Sequence, residues 1–84
     1  MTELQEAFLD ELKSKEKLTV PEYIELFNKY CDLAYEHEKN SSGNSHKAKV
    51  MSEYYMVSVL SKFVKKESII DQVVRQRESS PRVI

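Results

Sequence analysis

The sequence predicts an all-α protein in which a short N-terminal helix precedes a long antiparallel helical hairpin. Apolar residues recur at helical spacing along most of the chain, and a complete helix-start signal stands at Leu18–Tyr23. Turn signals are scarce, because the 84 residues include one glycine, Gly43, and no Asn-Gly or Asp-Gly pair. A hairpin-rich β fold needs several such turns. The length predicts one domain, at residues 1–78, followed by a flexible tail at 79–84.

The first helix is expected at about residues 2–15. Thr2 and Gln5 fit the Ser/Thr-x-x-Glu/Gln capping box with which many helices begin. Four apolar residues then recur at spacings of three and four, which places them on one side of the helix: Leu4, Ala7, Phe8 and Leu12.

The second helix is expected at about residues 20–39. Thr19 and Glu22 form a second capping box, and Pro21 costs no hydrogen bond in a first turn, where the amide lacks a helical partner. The apolar arc of this segment is roughly 200° wide, about twice what one face of a surface helix needs. We therefore expect it to touch more than one neighbour.

The third helix is expected from residue 45 to residue 76. It follows a loop at 40–44, where Gly43 suits the position just past a helix and Asn44 or Ser45 the next cap. A continuous helix of this length would measure about 48 Å against about 30 Å for the second helix, so its last apolar residues would overhang. Either the first helix or a second subunit would cover them, and we expect the protein to self-associate. The alternative is a break, with Ser68 capping a separate short helix.

Charge is divided unequally along the chain, although the net charge is −1. Residues 1–40 carry net charge −5 and residues 41–84 carry +4. The sequence begins without the basic start and apolar stretch of a secretory signal, and no apolar segment approaches the roughly 20 residues of a membrane span. We therefore expect a cytoplasmic protein that does not bind membranes.

Few residues are suited to catalysis or to binding a metal or cofactor, so we expect a non-enzyme with neither. Cys31 falls on an apolar stripe and is expected to be a buried thiol. His37 and His46 lack the spacing of metal ligands. Asp32 and Glu36 are four residues apart on a polar face, where paired carboxylates are ordinarily surface charges. Phosphate-binding loops need more than one glycine.

The leading hypothesis is a small protein-binding module that regulates, inhibits or adapts a larger partner. More apolar helix surface is present than a chain of this size can hide, and residues 45–74 are expected to carry the contact. The size and the tryptophan-free composition are typical of accessory proteins from phages or mobile elements. The candidate partner-binding residues come from an acidic face and from tyrosine and methionine side chains: Glu25, Asp32, Tyr35, Glu36, Met51 and Met56.

Two other functions stay open. The basic second half could contact an anionic partner, which would make the protein a nucleic-acid- or nucleotide-associated accessory. A sequence pI of about 6.1 counts against this as the main role. The chain could also be a purely structural assembly subunit. The candidate anion-binding residues are Lys62, Lys65, Lys66, Arg75 and Arg77.

Overall fold

The computed structural model describes residues 2–15 and 17–79, leaving aside the side chains of Thr2 and Ser79. Every regular element in these ranges is an α-helix, which confirms the all-α class. The tail expected at 79–84 lies outside the described residues, except for Ser79, which ends the last helix. The four helices are α1 (Thr2–Ser14), α2 (Val20–Ser42), α3 (Ser45–Phe63) and α4 (Glu67–Ser79).

The start of α2 follows the predicted capping box. The Thr19 amide donates a 3.0 Å hydrogen bond to Glu22 Oε1, and the Glu22 amide donates one of 3.4 Å to Thr19 Oγ1. Two amides that a helix start otherwise leaves unpaired are thereby satisfied.

The corner between α2 and α3 is tighter than predicted, because α2 continues to Ser42 and only Gly43 and Asn44 separate the helices. Gly43 has φ of 68°, in the left-handed region that suits glycine, and its amide donates to the Lys39 carbonyl at 2.8 Å. Asn44 then caps α3, since its Oδ1 accepts from the Lys47 amide at 3.0 Å. The role of Gly43 was predicted, and Asn44 is one of the two caps that the sequence offered, but the position of the helix end was not predicted.

The continuous third helix predicted for residues 45–76 is wrong. The chain leaves helical geometry at Val64, with φ −97° and ψ 119°, and α4 begins at Glu67. The amides of Ile69 and Ile70 bond to the Lys66 carbonyl, so Ser68 lies inside α4 and is not its cap. The break has a long-range cause, because it lets α4 pack against α2 and α3 and bury Val73, which a straight helix would leave overhanging.

All four helices contribute side chains to the core, and the largest helix–helix contact is between α2 and α3. Phe8 of α1 stacks on Tyr30 of α2, with ring centroids 5.1 Å apart. Cys31 is completely buried, as predicted. No helix within the described residues has the length and apolarity needed to cross a membrane. The main buried hydrophobic residues are Phe8, Leu12, Phe27, Tyr30, Cys31, Ala34, Met56, Val59, Leu60, Val64 and Val73.

Candidate protein-binding surface

The largest exposed hydrophobic side chains of α3 are Tyr54 and Val50. Tyr54 is 66% exposed and Val50 is 52% exposed. They are four residues apart, and half-buried Val57 and exposed Ser61 continue the same stripe at the next turns. We call these four residues the outer α3 face. Over residues 2–15 and 17–79 the only other large hydrophobic side chain with comparable exposure is Leu33 of α2, at 45%.

The outer α3 face is left open because the other sides of this helix are occupied. Small Ala48 and Ser52 lie completely buried, and Ser52 satisfies its hydroxyl on the Lys49 carbonyl at 3.0 Å. Gln5 of α1 donates to the Tyr55 carbonyl at 3.2 Å, and Glu53 faces Arg77 of α4. Helices α1, α2 and α4 all contact α3, yet none of them covers Tyr54.

The Tyr54 ring is supported from one side by its sequence neighbour. The rings of Tyr54 and Tyr55 meet edge to face, with centroids 6.0 Å apart and planes 63° apart. Tyr55 itself is half-buried and packs against the core. An exposed aromatic ring braced in this way loses little conformational entropy when a partner covers it.

An open groove extends this surface toward α4. It has a volume of about 680 Å³, and Ser61 of the outer α3 face belongs to its wall. Its side chains are apolar at Val64, Ile70 and Val74 and charged at the rim. The complete lining is Ser61, Val64, Lys65, Glu67, Ser68, Ile70, Asp71 and Val74.

Basic side chains surround the outer α3 face. Lys47, Lys49 and Lys62 are all exposed on α3. The first turn of α3 contains no acidic residue, although a carboxylate there would suit the positive end of the helix dipole. The single carboxylate of this helix, Glu53, lies 3.5 Å from the Arg77 guanidinium, at Nε. The side of α3 that faces solvent therefore combines apolar and positive groups.

Arg77, one of the candidate anion-binding residues, is not an exposed cation but is buried. Its side chain is only 5% exposed. Its Nη1 donates to Asn28 Oδ1 at 3.1 Å, and its Nη2 donates to Asp32 Oδ1 at 3.0 Å. With Glu53 near Nε, the guanidinium joins α4 to both α2 and α3. A guanidinium that is buried among these partners is shielded from an external anion.

Two of the predicted partner-binding residues lie in the interior. Tyr35 was expected as an exposed anchor, but it is buried, and Lys39 Nζ lies 5.8 Å from its ring centroid. Met56 was expected on an adaptable surface, but it is fully buried. Met51 is half-buried.

The remaining predicted site residues are on the surface but do not form one group. Glu25 and Glu36 are exposed on α2, whereas the third residue of that acidic face, Asp32, bonds to Arg77. Arg75 is exposed and pairs with Asp71 of its own helix at 3.0 Å. The other predicted anion-binding residues are exposed near the α3–α4 junction: Lys62, Lys65 and Lys66.

The other electrostatic contacts lie on α1, on α2 and just before α2, away from the outer α3 face. Lys29 Nζ lies 3.1 Å from Glu11 Oε1, and this hydrogen bond raises the pKa of Lys29. Burial raises the pKa of Tyr30 beside it. The hydrogen bond from the Thr19 amide lowers the pKa of Glu22. In the described residues no group of three or more His, Cys, Asp or Glu side chains is placed to hold a metal ion.

Tyr54 falls on an apolar stripe in the sequence, which predicted a core position for it, so the most exposed aromatic side chain of α3 was not among the predicted partner-binding residues. A signal was present in the spacing of small residues. Ala48 and Ser52 are four apart and mark the side of α3 that faces the interior, which turns Tyr54 toward solvent. Comparison with protein-family models, curated proteins and solved structures found no match for this chain.

Proposed function

We propose that this protein is a small protein-binding module whose outer α3 face contacts a larger partner. The exposure of Tyr54 beside Val50, on a helix whose other sides are packed, carries the proposal. An exposed aliphatic and aromatic pair gains free energy when a partner removes it from water. Tyrosine is among the residues that most often dominate the binding energy of an interface.

The spacing of the outer α3 face also fits recognition by a helix. Residues 50, 54, 57 and 61 follow the i, i+4, i+7, i+11 pattern with which an amphipathic helix meets a groove or a second helix. At 1.5 Å per residue this stripe is about 17 Å long. A module of this kind acts by occupying a surface of its partner, as regulators, inhibitors and adaptors do.

In this proposal α2 and α3 form a helical hairpin, and the outer α3 face is its exposed side. Their two-residue connection and their large mutual contact support a hairpin. Self-association, expected from the sequence, would bury the same outer α3 face in a second copy. Light scattering of the purified protein separates a self-associating subunit from a module that is monomeric until its partner is present.

The acidic face of α2 supports the proposal less well. Asp32 is partly exposed but already bonds to Arg77, whereas Glu25 and Glu36 are exposed. In the nucleic-acid alternative Arg77 is buried, while Lys62, Lys65 and Lys66 are exposed and Arg75 is exposed but paired with Asp71.

The test is affinity capture with two matched variants. V50Q/Y54Q removes the apolar groups of the outer α3 face while keeping good helix-forming residues. L33Q makes the same kind of change at an exposed leucine of α2. Tagged wild-type and variant proteins are used to capture partners from the source cells, with and without nuclease, and circular dichroism checks that each is folded.

We expect a stoichiometric protein partner that survives nuclease, is retained by L33Q and is weakened about a hundredfold by V50Q/Y54Q, in line with the loss of a hot-spot residue. Retention of that partner by V50Q/Y54Q would contradict the proposal. Recovery that disappears with nuclease would instead favour the nucleic-acid alternative.

A further inference from the structure

We propose that the partner presents an acidic amphipathic helix to the outer α3 face. This inference rests on the proposed function and specifies the chemistry of the partner. Its basis is the arrangement of positive groups around an apolar stripe on α3, with no exposed carboxylate of α3 to balance them.

The positive groups stand at both ends of the outer α3 face. Lys47 precedes Tyr54 by seven residues, which is about two turns, so the two side chains leave the helix in nearly the same direction. Lys62 follows Tyr54 by eight residues, so at about 100° per residue it leaves the helix roughly 80° to one side of Tyr54. The two lysines are about 22 Å apart along the helix axis, with Val50 and Tyr54 between them. A helical partner of about 15 residues, with an apolar stripe and carboxylates near its two ends, matches this spacing.

The charges within α3 favour the same partner. Lys47 lies in the first turn, where the helix dipole is already positive and where no acidic side chain offsets it. A carboxylate from a partner that approaches this end would offset the repulsion between Lys47 and the positive end of the helix dipole. Glu53 does not serve this purpose, because it faces Arg77 on the side of α3 that packs against α4.

A second copy of this chain fits the surface poorly. In a two-fold symmetric contact the outer α3 face would meet itself, which brings lysines toward lysines. In a head-to-tail contact it would meet the acidic half of another copy. Within the described residues, α1 and α2 offer one large hydrophobic side chain classed as exposed, Leu33, to match both Val50 and Tyr54. A separate acidic helix satisfies both the charge and the apolar stripe.

Carbodiimide cross-linking tests this chemistry directly, because it joins a lysine amine to a carboxylate without a spacer. The captured complex is treated with the reagent, digested and analysed by mass spectrometry. We expect Lys47 and Lys62 to be linked to aspartate or glutamate residues within one amphipathic segment of the partner. Links from Lys47 to acidic residues of a second copy, together with an oligomer in light scattering, would overturn the inference.

Charge reversal gives the quantitative test. K47E/K62E should weaken partner binding about tenfold at low salt, because two exposed attractions become repulsions, and the difference should shrink as salt is added. K13E/K17E makes the same change of net charge at exposed lysines outside α3 and should leave the affinity unchanged.

The two proposals fail differently in this experiment. Partner binding that requires Val50 and Tyr54 but is unaffected by K47E/K62E would refute the acidic helix and leave the protein-binding module intact. Binding that is indifferent to V50Q/Y54Q would refute the module itself. Recovery of nucleic acid, abolished by nuclease and weakened by K47E/K62E, would assign the lysines to phosphates and overturn the inference.

Discussion

On the inner side of α3, Met56 and Leu60 are fully buried, whereas on its outer side Val50 and Tyr54 are more than half exposed. Both pairs are hydrophobic and both lie four residues apart on one helix. The inner pair stabilises the fold by leaving water and filling space among the other helices. The outer pair contributes little to that packing. Apolar residues on one helix can therefore serve either stability or binding, according to the side on which they lie.

Truncating one residue on each side of α3 tests whether the two sides contribute unequally to stability. Met56→Ala should lower the free energy of unfolding by about 3–5 kcal/mol, because it leaves a cavity at a fully buried position. Tyr54→Ala should lower it by less than about 1 kcal/mol, as exposed positions usually do. Chemical denaturation of both variants measures the difference. Equal losses would show that Tyr54 belongs to the stabilising core.

The second-largest effect concerns the contact that joins α4 to the inner helices. D32N/E53Q removes both carboxylates from Arg77 and should lower the free energy of unfolding by about 3 kcal/mol, because it leaves a buried cation without a counter-charge. Arg77→Met should cost less, because it removes the buried charge and Asp32 can still reach water. Denaturation curves compare the two variants. A larger loss in Arg77→Met would mean that the guanidinium bonds outweigh its desolvation.

The smallest effect is expected at the α2 start, on the exposed surface. Glu22 has a pKa below its ordinary value, so its carboxylate contributes stability above the unfolded-state pKa, near 4.5, and loses it as the pH falls through the lowered folded-state pKa. Glu22→Gln should therefore lower the Tm slightly at pH 7 and have no effect at pH 2. Thermal melts at the two pH values measure this. The same difference at both would mean that the charge of Glu22 is irrelevant.

The features that the sequence predicted correctly depend on neighbouring residues. The Thr19–Glu22 capping box and the roles of Gly43 and Asn44 need only a few consecutive side chains. Burial of Cys31 followed from helical spacing alone.

The features that the sequence did not predict depend on distant contacts. No glycine or proline marks the break at residues 64–66, which is stabilised by Val73 and Arg77 further along the chain. The choice between the two sides of α3 was ambiguous for the same reason, since both sides are apolar and tertiary packing decides which one faces inward. Tyr54 and Tyr35 were assigned to the wrong environments as a result.

The two corners of the chain should therefore form at different stages of folding. Nothing lies within 4 Å of where a side chain on Gly43 would begin, so the α2–α3 corner is set by the left-handed backbone of one residue and by bonds to Lys39 and Lys47. Contacts this local close quickly and require only the first 47 residues or so. The α3–α4 corner is stabilised by contacts of Val73 and Arg77, so it requires the chain as far as residue 77. We therefore expect α2 and α3 to pair first and α4 to be the last helix to dock.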